Sequence, residues 1–144
     1  MGLDNGIILR VKGKIDEDCP LLSIRGIEEN DWYTEENAKG FHIYDICYWR
    51  KCWNIRDILF SSCQDAQDKE EGNDYELTIP ELEDIRDQLY GMICKGPDRW
   101  DDSIWDFEDA MNFLPWDIVR ISALINYLKN EGAGRAEVYF YDSY

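Results

Sequence analysis

The two ends of the chain carry the same pattern. Ile7, Leu9 and Val11 alternate with Ile8, Arg10 and Lys12, and Ala136, Val138 and Phe140 alternate with Glu137, Tyr139 and Tyr141. A period of two is that of a strand with one buried face. Neither strand can satisfy its backbone alone, so everything between them must fold back and let the ends meet. The matched faces predict that both strands lie antiparallel in one small sheet. About four helices should pack on one face of that sheet, giving an α+β fold as a single domain over 1–144. The chain has 144 residues, 44% of them apolar and 14% aromatic. A chain of that length buries roughly 70% of its unfolded surface, and a composition this apolar excludes a disordered one.

Between the ends, Leu21 to Ile27 reads as a second short strand, and 28–40 as a polar stretch with turns at Asn30-Asp31 and Gly40. Residues 44–63 read as a helix: Tyr48, Trp49, Cys52, Trp53, Leu59, Phe60 and Cys63 follow three-four spacing. Residues 64–77 read as a polar connection. Thr78-Ile79-Pro80-Glu81 is a capping box with proline in the first turn, and Leu82, Ile85, Leu89 and Met92 continue it as an amphipathic helix that Gly96-Pro97 ends. A short helix opened by Ser103 is expected over 103–112. Another starts at Pro115, with Ile118, Ile121, Ile125 and Leu128 as its buried stripe and Gly132 and Gly134 as its stop.

Charge narrows the function classes. There are 31 acidic residues against 15 basic ones, a formal net charge of −16. Nucleic-acid binding draws on Lys and Arg, and anionic membranes repel such a chain, so neither is an expected direct partner. The charge is uneven. Residues 65–109 hold 16 acids and 4 bases, a net of −12. Glu81, Glu83, Asp84 and Asp87 lie off the apolar stripe of the helix from Thr78, and Asp98, Asp101, Asp102, Asp106, Glu108 and Asp109 follow. Such a segment is either a solvated face that keeps the protein dispersed or a negative surface for a basic protein partner. Carboxylates on a rigid element can imitate nucleic-acid phosphates and occupy a basic groove. A calcium loop would need an Asp-x-Asp-x-Asp-Gly pattern, and none occurs.

Cys19, Cys47, Cys52, Cys63 and Cys94 are odd in number and contain no Cys-x-x-Cys, which fits thiols used as small apolar residues in a reducing compartment. With His42 as the one histidine, no Cys/His metal site is expected. No apolar run approaches the length of a membrane span, and the N-terminus lacks a signal-peptide pattern, so a cytoplasmic location is expected. Phosphate-loop, dinucleotide and nucleophile-elbow motifs are absent, so no cofactor or catalytic residue is assigned. The densest constellation is Tyr48-Trp49-Arg50-Lys51 on the expected helix 44–63. Its indole and guanidinium groups serve either the core or, together with Asp4, a candidate pocket for an anion or partner. That pocket is the basis of an alternative reading, a small enzyme or nucleotide-sensing domain.

Met1-Gly2-Leu3-Asp4 running into a strand, Tyr48-Trp49-Arg50-Lys51 leading to Asn54-Ile55, Gly72-Asn73-Asp74 before a Thr78-capped helix, and an aromatic end at Tyr139-Phe140-Tyr141-Asp142-Ser143-Tyr144 form a recognisable set. In these the chain resembles a family of small uncharacterised proteins of bacteriophages and prophages. Members usually carry a Gly-Phe-Phe-Phe-Gly segment where this chain has Trp100 to Trp116, and a terminal Ser-Trp where it has Ser143-Tyr144. The resemblance implies a mobile-element origin and brings no established activity with it.

Overall fold

The computed structural model describes residues 4–69, 72–100 and 104–143. The terminal strands pair as their patterns predict. Strand β1 (Asp4–Lys12) lies antiparallel to β5 (Ala136–Ser143), with Ile7 opposite Phe140 and Leu9 opposite Val138. The other strands are β2 (Glu28–Glu29), β3 (Phe41–Arg50) and β4 (Asp74–Leu77), and the five-stranded antiparallel sheet runs β2-β3-β1-β5-β4. The helices are α1 (Thr34–Ala38), α2 (Trp53–Ser62), α3 (Gln64–Asp68), α4 (Ile79–Lys95), α5 (Phe107–Ala110) and α6 (Leu114–Lys129). The fold is α+β.

One sheet face is the core. Ile7, Cys47 and Phe140 sit side by side across three strands, followed by Leu9, Tyr44 and Val138. Onto this inner face pack Ile55 and Leu59 of α2, Leu82, Ile85 and Leu89 of α4, and Ile121, Leu124 and Ile125 of α6, all buried. The short α1 is the exception, because it packs against β3 and its Glu36 meets Arg10 on the other sheet face. The register slips between Ile7 and Ile8, leaving Ile46 as the extra residue on β3. That bulge turns Tyr44 inward and Asp45 outward.

Several local expectations change. Tyr48 to Lys51 is not helical: β3 runs to Arg50, Lys51 turns the corner at φ 51°, and only then does α2 begin. The three-four spacing spans two elements, the end of β3 and the whole of α2. Phe41 to Trp49 is dominated by aromatic and β-branched residues, which suit a half-buried strand. Leu21–Ile27 is no strand. It forms a 3₁₀ turn over Pro20–Ser23, and Gly26 then takes φ 89°. The polar stretch 28–40 contains β2 and α1, and the polar connection 64–77 contains α3 and β4. The last short helix is capped by Asp106, which accepts from the Asp109 amide at 2.8 Å, rather than opened by Ser103, which lies outside the described residues.

The capping box at Thr78 forms as read: Thr78 Oγ1 accepts from the Glu81 amide, and Glu81 accepts from the Thr78 amide at 2.9 Å. Gly96 then ends α4. In α6 the stripe is Ile121, Leu124, Ile125 and Leu128, with Ile118 half-buried. All five cysteines are free thiols, four of them buried. Among the described residues no helix is long and apolar enough to cross a membrane.

Candidate functional site

Strand alternation divides the expected pocket. Trp49 points inward and is 3% exposed, whereas Tyr48 and Arg50 stand on the outer face, with Asp4 directly opposite Arg50 on β1. Asp4, Tyr48 and Arg50 are therefore brought together, and Trp49 is not part of their surface. Burial and a hydrogen bond to Asp4 push the Tyr48 phenol up. Lys51 sits at the corner.

Inside, Trp49 begins a polar row. Its indole N–H donates to Asp117 Oδ2 at 2.7 Å, and Arg120 donates to Asp117 Oδ1 at 3.3 Å. Asn5 lies beside Trp49 on β1 and donates through Nδ2 to Asp142 Oδ1 at 2.8 Å. Arg56 closes the row with two 3.0 Å bonds to the Asp142 carboxylate. Burial pushes Asp117 up to about 7, while the Trp49 hydrogen bond and the Arg120 charge pull the other way. A carboxyl titrating there falls in the range of general acid–base chemistry. Asp117, however, is 2% exposed, and both of its oxygens are taken. It ties α6 to β3.

The described acidic candidates fall into three groups. Glu81, Asp106 and Asp109 are helix caps, and Glu81 also accepts from the Gln64 amide at 2.7 Å. Glu83 pairs with Lys129 at 3.5 Å and Asp87 with Arg86 at 3.2 Å. Asp84, Asp98 and Glu108 are exposed and have no ion pair among the described residues. Asp101 and Asp102 lie outside the described residues.

The outer sheet face adds residues that strand alternation places opposite the core. One row runs Tyr48, Gly6, Tyr141, Asp74 across β3, β1, β5 and β4, and the next runs Asp45, Ile8, Tyr139, Glu76. A Cβ at Gly6 would stand 2.5 Å from Tyr141 Cε1, so any larger residue there would have to displace the ring. The ring crosses the strand where the backbone has no side chain. Burial first, and then the charges of Asp45 and Asp74, push the Tyr33 phenol up, which places Tyr33 over the same face. The alternation of 136–141 was the signal for Tyr139 and Tyr141. Tyr33 and Asp45 have no local signal, since a turn and a bulge place them.

Among the described residues no group of three His, Cys, Asp or Glu side chains is arranged to hold a metal ion. No protein-family model, curated protein or solved structure matches this chain.

Proposed function

We propose that this chain is a non-enzymatic accessory protein of mobile-element type, an acidic module that binds a basic surface on a nucleic-acid-handling protein in place of the nucleic acid. The observation that carries the reading is negative charge left without an opposite charge beside it among the described residues. Of the twelve acids of segment 65–109 that are described, three form ion pairs, Asp65 with Lys69, Glu83 with Lys129 and Asp87 with Arg86. A uniform soluble surface interleaves both signs, whereas one-sided charge steers an oppositely charged partner and raises its association rate. Glu83, Asp84 and Asp87 stand on a rigid element, since α4 spans 17 residues and buries Leu82, Ile85 and Leu89; Asp98 follows its C-terminus and Glu108 lies in α5.

The test is a capture experiment from bacterial lysate with two baits, the wild-type chain and Asp84→Lys/Asp98→Lys/Glu108→Lys. None of these three positions is in an internal ion pair among the described residues. Basic nucleic-acid-binding proteins should be retained by the first bait and lost from the second. They should also elute from the first between about 0.1 M and 1 M salt, as the Debye length shrinks from about 10 Å to about 3 Å. Identical sets of proteins on both baits would refute the reading.

A further inference from the structure

The outer sheet face contains a groove of about 400 Å³ floored by Ile8 and Ile43, with Tyr33 and Tyr139 in its lining and Asp74 beside them. Arg10 and Glu36 close one end. The arrangement at that end shows what the face holds. The Arg10 guanidinium stacks 3.5 Å from the Phe41 ring centroid, donates to Glu36 at 2.8 Å and lies 3.7 Å from Glu137. An aromatic face below and carboxylates at the side are what a planar, forked cation requires. The rest of the groove repeats those parts with no further cation among the described lining residues. Tyr33, Tyr139 and Asp74 line it, the neighbouring Tyr141 and Asp45 flank it, and the apolar floor suits a three-carbon stem.

We infer that this groove is the recognition site for an arginine side chain carried by an extended basic segment of the protein partner. The inference rests on the proposed function and adds to it a second contact, on the sheet face opposite α4, where Asp74 is the one groove residue from segment 65–109. The guanidinium would fork onto Asp74 and lie between the Tyr33 and Tyr139 rings, with its stem on Ile8 and Ile43. Charge selects the occupant: the Tyr141 phenol is pushed up by burial and then by Asp45 and its neighbouring phenols, so the phenols stay neutral and the carboxylates set the sign. Arginine is favoured over lysine because a compact ammonium neither stacks nor forks. Addition of the segment to the β4 edge is disfavoured, since the Glu76 amide there already donates to Asp65 Oδ2 at 2.8 Å.

The experiment is a fluorescence anisotropy titration of the full chain with a fluorescein-labelled peptide of alternating glycine and arginine, four of each, and with its lysine counterpart. A parallel NMR titration follows the Ile8 and Ile43 methyl groups. The arginine peptide should bind at least about fivefold more tightly than the lysine one and shift both methyl resonances. Asp74→Asn and Tyr33→Ala should each weaken binding about tenfold at unchanged melting temperature, whereas Asp84→Asn/Glu108→Gln should change it less than about twofold, since each guanidinium is read by ring and carboxylate together. Binding that survives Asp74→Asn and Tyr33→Ala but falls with Asp84→Asn/Glu108→Gln overturns the groove and leaves the acidic-module reading standing. Equal affinity for both peptides with unmoved Ile8 and Ile43 methyls also overturns it. Failure of the wild-type chain to bind either peptide overturns both.

Discussion

Asp117 gives the fold a pH dependence that one substitution should remove. Its carboxyl is buried between the Trp49 indole and Arg120, and burial pushes it from an ordinary 3.8 up to about 7. The unfolded chain releases this proton near 3.8, while the folded chain holds it to about 7. The folded state binds more protons between those values, so stability falls as pH rises through the window. At 1.36 kcal/mol per decade of proton affinity the whole window is worth about 4 kcal/mol, and about 3 kcal/mol of it falls between pH 4.5 and 7.5. Asp117→Asn keeps a carbonyl to accept from Trp49 and has no proton to lose. Urea denaturation of both chains at those two pH values isolates the effect, since every other carboxyl is shared. The wild-type chain should lose about 3 kcal/mol more than Asp117→Asn on going from the lower to the higher pH. Parallel pH profiles would show that the buried carboxyl is already ionised in the folded state and would refute the reasoning.

Three further outcomes are expected from thermal or urea melts. Val138 is 2% exposed between Leu9 and Leu77, so Val138→Asp buries an unpaired charge and should abolish the folding transition. Trp49→Ala should cost about 3 to 5 kcal/mol for the cavity and the orphaned Asp117, whereas Arg50→Ala, on the exposed end of the outer face, should cost under about 0.5 kcal/mol. Gly6→Ala meets the Tyr141 ring at 2.5 Å and should cost about 1 to 3 kcal/mol, most of it recovered in Gly6→Ala/Tyr141→Ala; equal losses in single and double variants would show that the ring is not what requires glycine.

What was legible in the sequence was local. The terminal strands are written in uninterrupted alternation, and Thr78-Ile79-Pro80-Glu81 carries its cap, its proline and its reciprocal acid within four residues. The corner at Lys51 was not legible, because a positive φ at a lysine has no sequence marker, and the aromatic run on either side mimics a helical stripe. Strand β4 hid within an acidic stretch, having only Tyr75 and Leu77 to bury. Asp117 in the first turn of α6 reads as an acid complementing the helix dipole. Only the tertiary arrangement turns it toward Trp49. The outer-face cluster is non-local in the same way: Asp45 faces outward because of a bulge at Ile46, and Tyr33 reaches it from the loop before α1.

The most direct measurement of the central claim is the association rate between this chain and a basic protein it retains from lysate. The comparison is wild type against Asp84→Lys/Asp98→Lys/Glu108→Lys at about 0.1 M and 1 M salt. Unpaired carboxylates that steer a basic partner predict a wild-type rate that falls steeply with salt, and a rate at least about tenfold lower for the variant at the lower salt. Equal rates with equal salt dependence would contradict the account, leaving the charge of segment 65–109 as a solvated face and nothing more.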